Sequence, residues 1–171
     1  MFMIVLFQFG ILVVLLTVVA YMMVVTYLVY KGSNYLPTPK KEIETALQVL
    51  HKDDVFIDLG FGNGEVMQAA FKHGARTIIG YELDFTRFLR TWLRLRRDHF
   101  NGYHLQYADI WSANLSSADV VFTFFTIIHM KKLYAKAKRE MKKGSWFISY
   151  VHEVPGQKPT RQVGKVRFFK M

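Results

Sequence analysis

Cysteine is absent from all 171 residues, which excludes disulfides and thiolate metal sites and fits a reducing compartment. Six histidines occur, but never at the H-x-x-x-H or H-E-x-x-H spacing, so no metal site is expected. No G-x-S-x-G elbow and no phosphate-binding G-x-x-x-x-G-K-[ST] loop is present, which removes two large classes of hydrolase. Charge is missing altogether from residues 1 to 30, where only Gln8, Gly10, Thr17 and Thr26 fall outside the apolar set.

That uncharged block excludes a freely soluble protein. As a helix it is about 45 Å long at roughly 1.5 Å per residue, enough to cross a hydrocarbon core about 30 Å thick. A secretory signal is the rival, but no basic residue precedes the run, and the run continues past its one passable cleavage site, Val18-Val19-Ala20. We therefore expect an uncleaved single-pass anchor. The first positive charges, Lys31, Lys40 and Lys41, follow it, which predicts the N-terminus outside and the remaining chain on the cytoplasmic or matrix side. All 23 Lys and Arg and all 13 Asp and Glu lie after Tyr30, giving a net charge of +10. So basic a domain suits nucleic acid, an acidic partner or an anionic lipid surface, and the tether favours the lipid.

The expected organisation is an anchor at 1–30, a linker at 31–40 with Gly32, Pro37 and Pro39, and one domain at 41–171. Lys41 to Leu50 reads as a short helix with Ile43, Ala46, Leu47 and Leu50 on one face. Strands are expected at Val55–Leu59, Thr77–Tyr81, Tyr103–Tyr107, Val120–Phe125, Trp146–Val151 and Gln162–Phe169. Helices are expected at Glu65–Lys72, Phe85–Arg97 and Met130–Lys142. Strand and helix alternation with near-continuous apolar strands implies an α/β fold, a doubly wound, mostly parallel sheet. Only Pro155 to Arg161 separates the last two strands, too little for a crossover helix, so the final strand should return antiparallel beside the fifth.

In such sheets ligands bind beyond the carboxyl ends of the strands. The first strand leaves into Asp58-Leu59-Gly60-Phe61-Gly62-Asn63-Gly64-Glu65. A dinucleotide fingerprint would need a third glycine at position 65, where Glu65 stands. The D-x-G-x-G-x-G pattern suits instead a cation that carries an amino acid. Glu82 follows the second strand, where a carboxylate can accept both ribose hydroxyls. Asp109 follows the third, where it can accept from an adenine amino group, with Ile110 and Trp111 able to wall the ring. These carboxylates are expected to matter for ligand binding and not for folding.

Asp58 to Glu65, Glu82 and Asp109 resemble the first three motifs of class I S-adenosylmethionine-dependent methyltransferases, which have a Rossmann-like fold. The apolar anchor, Tyr35-Leu36-Pro37-Thr38-Pro39, Gly80-Tyr81-Glu82-Leu83 and Asp109-Ile110-Trp111 resemble one subfamily more closely. Its members are small membrane-anchored protein-lysine methyltransferases acting on the c-ring protein of ATP synthase and the adenine nucleotide translocase, with prokaryotic relatives. The resemblance implies S-adenosylmethionine as cofactor, with Asp58, Gly60, Gly62 and Gly64 at its methionine end, Glu82 at the ribose, and Asp109 and Ile110 at the adenine. It also implies a truncated C-terminus that lacks the last helix and one strand of the wider class. Phe124-Phe125-Thr126-Ile127-Ile128-His129 stands where an Asn/Asp-Pro-Pro-aromatic motif would follow the fourth strand, which argues against methylation of adenine or glutamine.

No catalytic residue is assigned by this reading. His129, His152 and Glu153 are weak candidates at the edge where an acceptor would enter. Arg87, Arg90, Arg94 and Arg97 fall on one helical face, and seven basic residues between Lys131 and Lys143 form a second basic surface. Trp92 and Trp146 are expected in the core. The expected partners are a membrane-protein substrate and anionic lipid, with neither nucleic acid nor metal. A small-molecule or lipid methyltransferase, or a non-catalytic cofactor-binding membrane protein, would share the same cofactor motifs.

Overall fold

A computed structural model describes residues 2–30, 36–98 and 102–171. The chain divides into two units, one built on the first helix and one carrying everything from α2 onward. Helix α1 (Phe2–Tyr30) is apolar along its length and buries none of its side chains. Its 29 residues make it long and apolar enough to cross a membrane.

The second unit opens with α2 (Lys40–Ala46), continued by a 3-10 turn (Leu47–Val49). Ile43, Ala46, Leu47 and Leu50 are all buried, as their shared face requires. Then follow β1 (Val55–Leu59), α3 (Glu65–Lys72), β2 (Thr77–Glu82), α4 (Phe85–Leu95) and β3 (Tyr103–Tyr107). The chain continues through β4 (Val120–Thr123), α5 (Ile127–Glu140), β5 (Trp146–Tyr150), β6 (Arg161–Val163) and β7 (Val166–Lys170). The sheet order is β3-β2-β1-β4-β5-β7-β6, parallel from β1 to β5.

Alternate strand residues feed two cores, as the period-2 pleat dictates. Phe56, Val120, Phe122, Ile148 and Phe168 pack toward α2 and α3. Ile57, Leu59, Val121, Phe147 and Phe169 pack toward α5. The doubly wound, mostly parallel sheet is thus the observed fold.

Two expectations are corrected at the C-terminus and on α4. The last strand is a hairpin: β7 does pair antiparallel with β5, and β6 folds back along β7. Gly164, with φ +57°, makes the reversal possible between Val163 and Val166, so the strand expected to be missing is present. On α4 the four arginines share a face but not a depth. Arg90 and Arg97 are exposed. Arg87 turns inward to Asp84, at 3.0 Å. The Nε and Nη2 of Arg94 are buried without a hydrogen-bond partner. Lys136 is likewise withdrawn from the basic surface, buried and paired with Glu140 at 2.8 Å. Trp92 and Trp146 are half-buried rather than core residues.

Candidate active site

Parallel pairing aligns the carboxyl ends of β1, β2 and β3, with Leu59 beside Tyr81 and Glu82 beside Tyr107. The glycine turn, Glu82 and Asp109 therefore meet along one edge. Gly60, Gly62 and Gly64 all have positive φ, the left-handed backbone that lets the turn leave β1 sharply and enter α3. The Gly60 and Phe61 N–H groups donate to the Tyr81 carbonyl at 2.8 and 3.3 Å, which ties the turn to β2.

Helix α4 holds the turn from behind. Thr91, only 1% exposed, donates through Oγ1 to the Gly62 carbonyl at 2.8 Å. A Cβ at Gly64 would lie 2.7 Å from Thr91 Cγ2, so that contact needs glycine as well. The sequence reading missed Thr91. A polar residue at a helix position facing the sheet is a signal, but it does not name the partner.

Glu82 is 2% exposed and receives three main-chain N–H groups. Gly62 donates to Oε2 at 2.9 Å, while Leu83 and Asp84 donate to Oε1 at 2.9 Å each. This corrects the expectation that the carboxylate is irrelevant to folding: it fastens the glycine turn to the end of β2. Asp109 accepts the Trp111 N–H at 3.2 Å and caps the 3-10 turn Ile110–Ser112, so its main-chain role coexists with any ligand role. Ile110 is buried beneath it, 5% exposed.

Asp58 is different. It is 2% exposed, and its Oδ2 has no hydrogen-bond partner. Burial, reinforced by the charge of Glu82, pushes its carboxyl up to about 8 from the ordinary 3.8. An orphaned buried carboxyl beside a glycine turn fits a ligand that brings cationic donors, which matches the methionine end of S-adenosylmethionine.

The neighbouring rim, beyond β4 and β5, is lined with rings. Phe124 packs on Tyr150 at 4.8 Å between centroids and lies 6.2 Å from His152. Phe125 lies 5.5 Å from His129, and Trp111 is 6.0 Å from His129. The Lys132 ammonium sits 4.5 Å above the Trp111 ring, so this indole belongs to the rim as much as to the adenine side. His129 and His152 are half-buried there, and Glu153 is exposed.

A second unforeseen feature shapes this rim. Val151 has φ +67°, an outlier for a β-branched residue, within a three-residue turn closed by the His152 N–H onto the Tyr150 carbonyl at 2.9 Å. Arg167 Nη1 donates to the Val151 carbonyl at 2.7 Å, and Ser149 Oγ donates to the His152 carbonyl.

With this geometry in place, the comparison with protein families is decisive. Residues 58–161 match the ANTKMT methyltransferase domain. The chain belongs to the ANTKMT methyltransferase domain family. It is an S-adenosylmethionine-dependent methyltransferase. A protein-lysine N-methyltransferase of Saccharolobus islandicus is 26% identical over 136 residues, covering 77% of this chain and 84% of that protein. The adenine nucleotide translocase lysine N-methyltransferase of Mus musculus is 27% identical over 137 residues, and the mouse lysine N-methyltransferase named for the ATP synthase c-ring protein 25%. Those alignments cover 77% of this chain, but only 58% and 53% of the two mouse proteins. An RNA methyltransferase from Salinibacter ruber, solved with S-adenosyl-L-homocysteine, superposes with a TM-score of 0.74 at 24% identity, covering 79% of this chain and 93% of its own. That likeness establishes the fold of this ANTKMT-family domain.

Proposed function

We propose that this methyltransferase is held at a membrane by α1 and methylates a lysine of an integral membrane protein. The lysine reading is carried by one observation: the three relatives above, all named for lysine N-methylation, match over 77% of the chain. Two of them are named for membrane-embedded targets, which supports an acceptor in the bilayer. The apolar helix ahead of the domain supports the same reading.

In this proposal Asp58, Gly60, Gly62 and Gly64 hold the methionine end of the cofactor, Glu82 the ribose, and Asp109 with Ile110 the adenine. Bound there, S-adenosylmethionine supplies a methyl group on a positively charged sulfonium. The chain's own work is to align the acceptor and exclude water. The acceptor must also arrive neutral. A lysine of pKa about 10.4 gives up its proton at pH 7 at a cost of about 4.6 kcal/mol. The ring-lined rim at Phe124, Tyr150 and His152 desolvates the ammonium, and the basic domain disfavours a further positive charge; both lower that cost. No general base is assigned.

The test incubates purified full-length protein with labelled donor and native membranes. Label on lysine of an integral membrane protein supports the proposal. Label in the extractable lipid or small-molecule fraction overturns it, and tight donor binding without transfer points to a non-catalytic binding protein. Removing residues 1–30 should leave donor affinity intact and sharply slow membrane-protein methylation. With the N-terminus outside, a cysteine at Ser33 should resist an impermeant thiol reagent in intact cells.

A further inference from the structure

The exposed apolar side chains of the domain are not scattered. Among its described residues, the large ones are Leu36, Phe85, Tyr107, Ile127, Ile128 and Val163, plus Leu89 and Leu93 directly below Phe85 on α4. The first six all lie at the carboxyl edge of the parallel strands. Tyr107 ends β3, Phe85 begins the helix after β2, and Ile127 and Ile128 begin the helix after β4. Val163 ends β6 opposite Val166, which itself pairs with Tyr150 at the end of β5. Leu36 precedes α2, whose first turn reaches the same edge: a Cβ at Gly164 of the β6–β7 turn would lie 3.8 Å from Glu42 Oε2. Ile128 is 84% exposed and Leu36 59%, values that core packing does not explain.

Charge alone does not choose a face. The basic residues of α5 are divided between its two ends, and only Lys131 and Lys132 lie near the apolar edge. Lys40, Lys41 and Lys165 join them there, all exposed. An apolar patch rimmed by lysines is the chemistry of a surface that meets lipid, with side chains entering the acyl boundary and ammonium groups among the headgroup phosphates. The chain itself brings this edge near a bilayer. Only residues 31–35 separate Tyr30, the end of α1, from Leu36, a span of about 21 Å at most at roughly 3.5 Å per residue.

We propose that the carboxyl edge of the sheet docks on the bilayer surface, Ile127 and Ile128 entering the lipid interface, so that the acceptor rim opens toward the membrane plane. This rests on the reading of α1 as a membrane anchor, and it specifies the face that the anchored domain turns to the lipid. The acceptor would then be a lysine at headgroup depth rather than one on a long soluble extension.

Because the chain lacks cysteine, single cysteines report cleanly. Full-length protein is reconstituted into vesicles containing phosphatidylglycerol, with an environment-sensitive label at Val14→Cys, Ile128→Cys or Lys138→Cys and a quencher carried by the lipid. Ile128 and Lys138 are both exposed, so neither change disturbs packing, and ten residues of helix set them about 15 Å apart. The expected result is loss of fluorescence at 14 and 128 and none at 138. Quenching at 14 without quenching at 128 overturns the docking surface and leaves the anchor standing. Quenching at none of the three overturns the anchor, and the docking with it. If position 128 escapes the lipid quencher yet becomes shielded from a water-soluble one only when a membrane-protein acceptor is added, the edge serves a protein and the lipid proposal fails.

Discussion

The Gly62 N–H donates to Glu82 Oε2 at 2.9 Å, joining the turn after β1 to the last residue of β2 across twenty positions of sequence. With Leu83 and Asp84 also donating, this carboxylate is a structural tie before any ligand arrives. A glutamine there would present its NH2 to at least one of these donors. Glu82→Gln should therefore lower the stability of the ligand-free protein by about 1 to 3 kcal/mol, the usual cost of unsatisfied buried donors. Donor affinity should fall as well. Thermal unfolding without ligand reads the first effect and titration calorimetry the second; unchanged unfolding would show that the tie is dispensable.

Asp58 gives the site a pH dependence. The folded chain keeps its carboxyl protonated up to about pH 8, while the unfolded chain releases that proton near the ordinary 3.8. Its contribution to stability therefore declines as pH rises from about 4 to about 8 and is level outside that window. Asp58→Asn should flatten this decline, seen in unfolding curves taken across the range. A ligand ammonium placed against Asp58 favours the ionised form, so binding should release a proton. Donor affinity should rise toward pH 8 in the native protein by up to about tenfold per unit, and in Asp58→Asn it should not. Equal pH dependence in both would remove Asp58 from the ligand's surroundings.

Gly80 lies where β2 passes under the turn. A Cβ there would stand 2.6 Å from Phe61 Cδ1 and 2.7 Å from Met67 Sδ. Methionine can yield, but Phe61 is part of the glycine turn and moves it. Gly80→Ala should cost about 1 to 3 kcal/mol, as overpacking of a filled core does, and should weaken donor binding in proportion. Loss of stability with intact affinity would mean that Met67 alone absorbs the strain.

The bounds of α3 and β3 were legible in the sequence because local punctuation sets them: Gly64 before Glu65, and turn residues around Tyr103–Tyr107. Strand β4 is two residues shorter than its hydropathy suggests. Phe124 and Phe125 continue its apolar run, yet the ladder ends with Thr123 beside Ser149, and hydropathy does not separate a sheet residue from a rim residue. The glycine motif and the three strand-end carboxylates announced the edge and its ligand. Their main-chain bonds were not legible, because Glu82 and Thr91 reach Gly62 from 20 and 29 residues away. The arginines of α4 show the same limit: spacing assigns a face, while depth depends on neighbours such as Asp84 that sequence does not bring into contact.

Val151 is where the backbone carries strain beside the proposed acceptor site. Left-handed backbone costs an L-residue about 1 to 2 kcal/mol, and here the Lys165 carbonyl, Arg167 and Ser149 hold it in place. The turn sets Tyr150 and His152 on either side of Phe124, and strain of this kind concentrates at functional sites. Val151→Gly relieves the Cβ conflict but frees the unfolded backbone, so the net stabilisation should be about 1 kcal/mol or less. If the strained turn fixes the rim for an incoming amine, the glycine variant should keep donor affinity, gain thermal stability and lose turnover, with kcat falling more than KM changes. Arg167→Lys tests the same point without touching the strained residue: it retains the charge but not the reach and geometry of the guanidinium contact, and should lower kcat in the same direction. Turnover that survives both changes would assign the turn to folding alone.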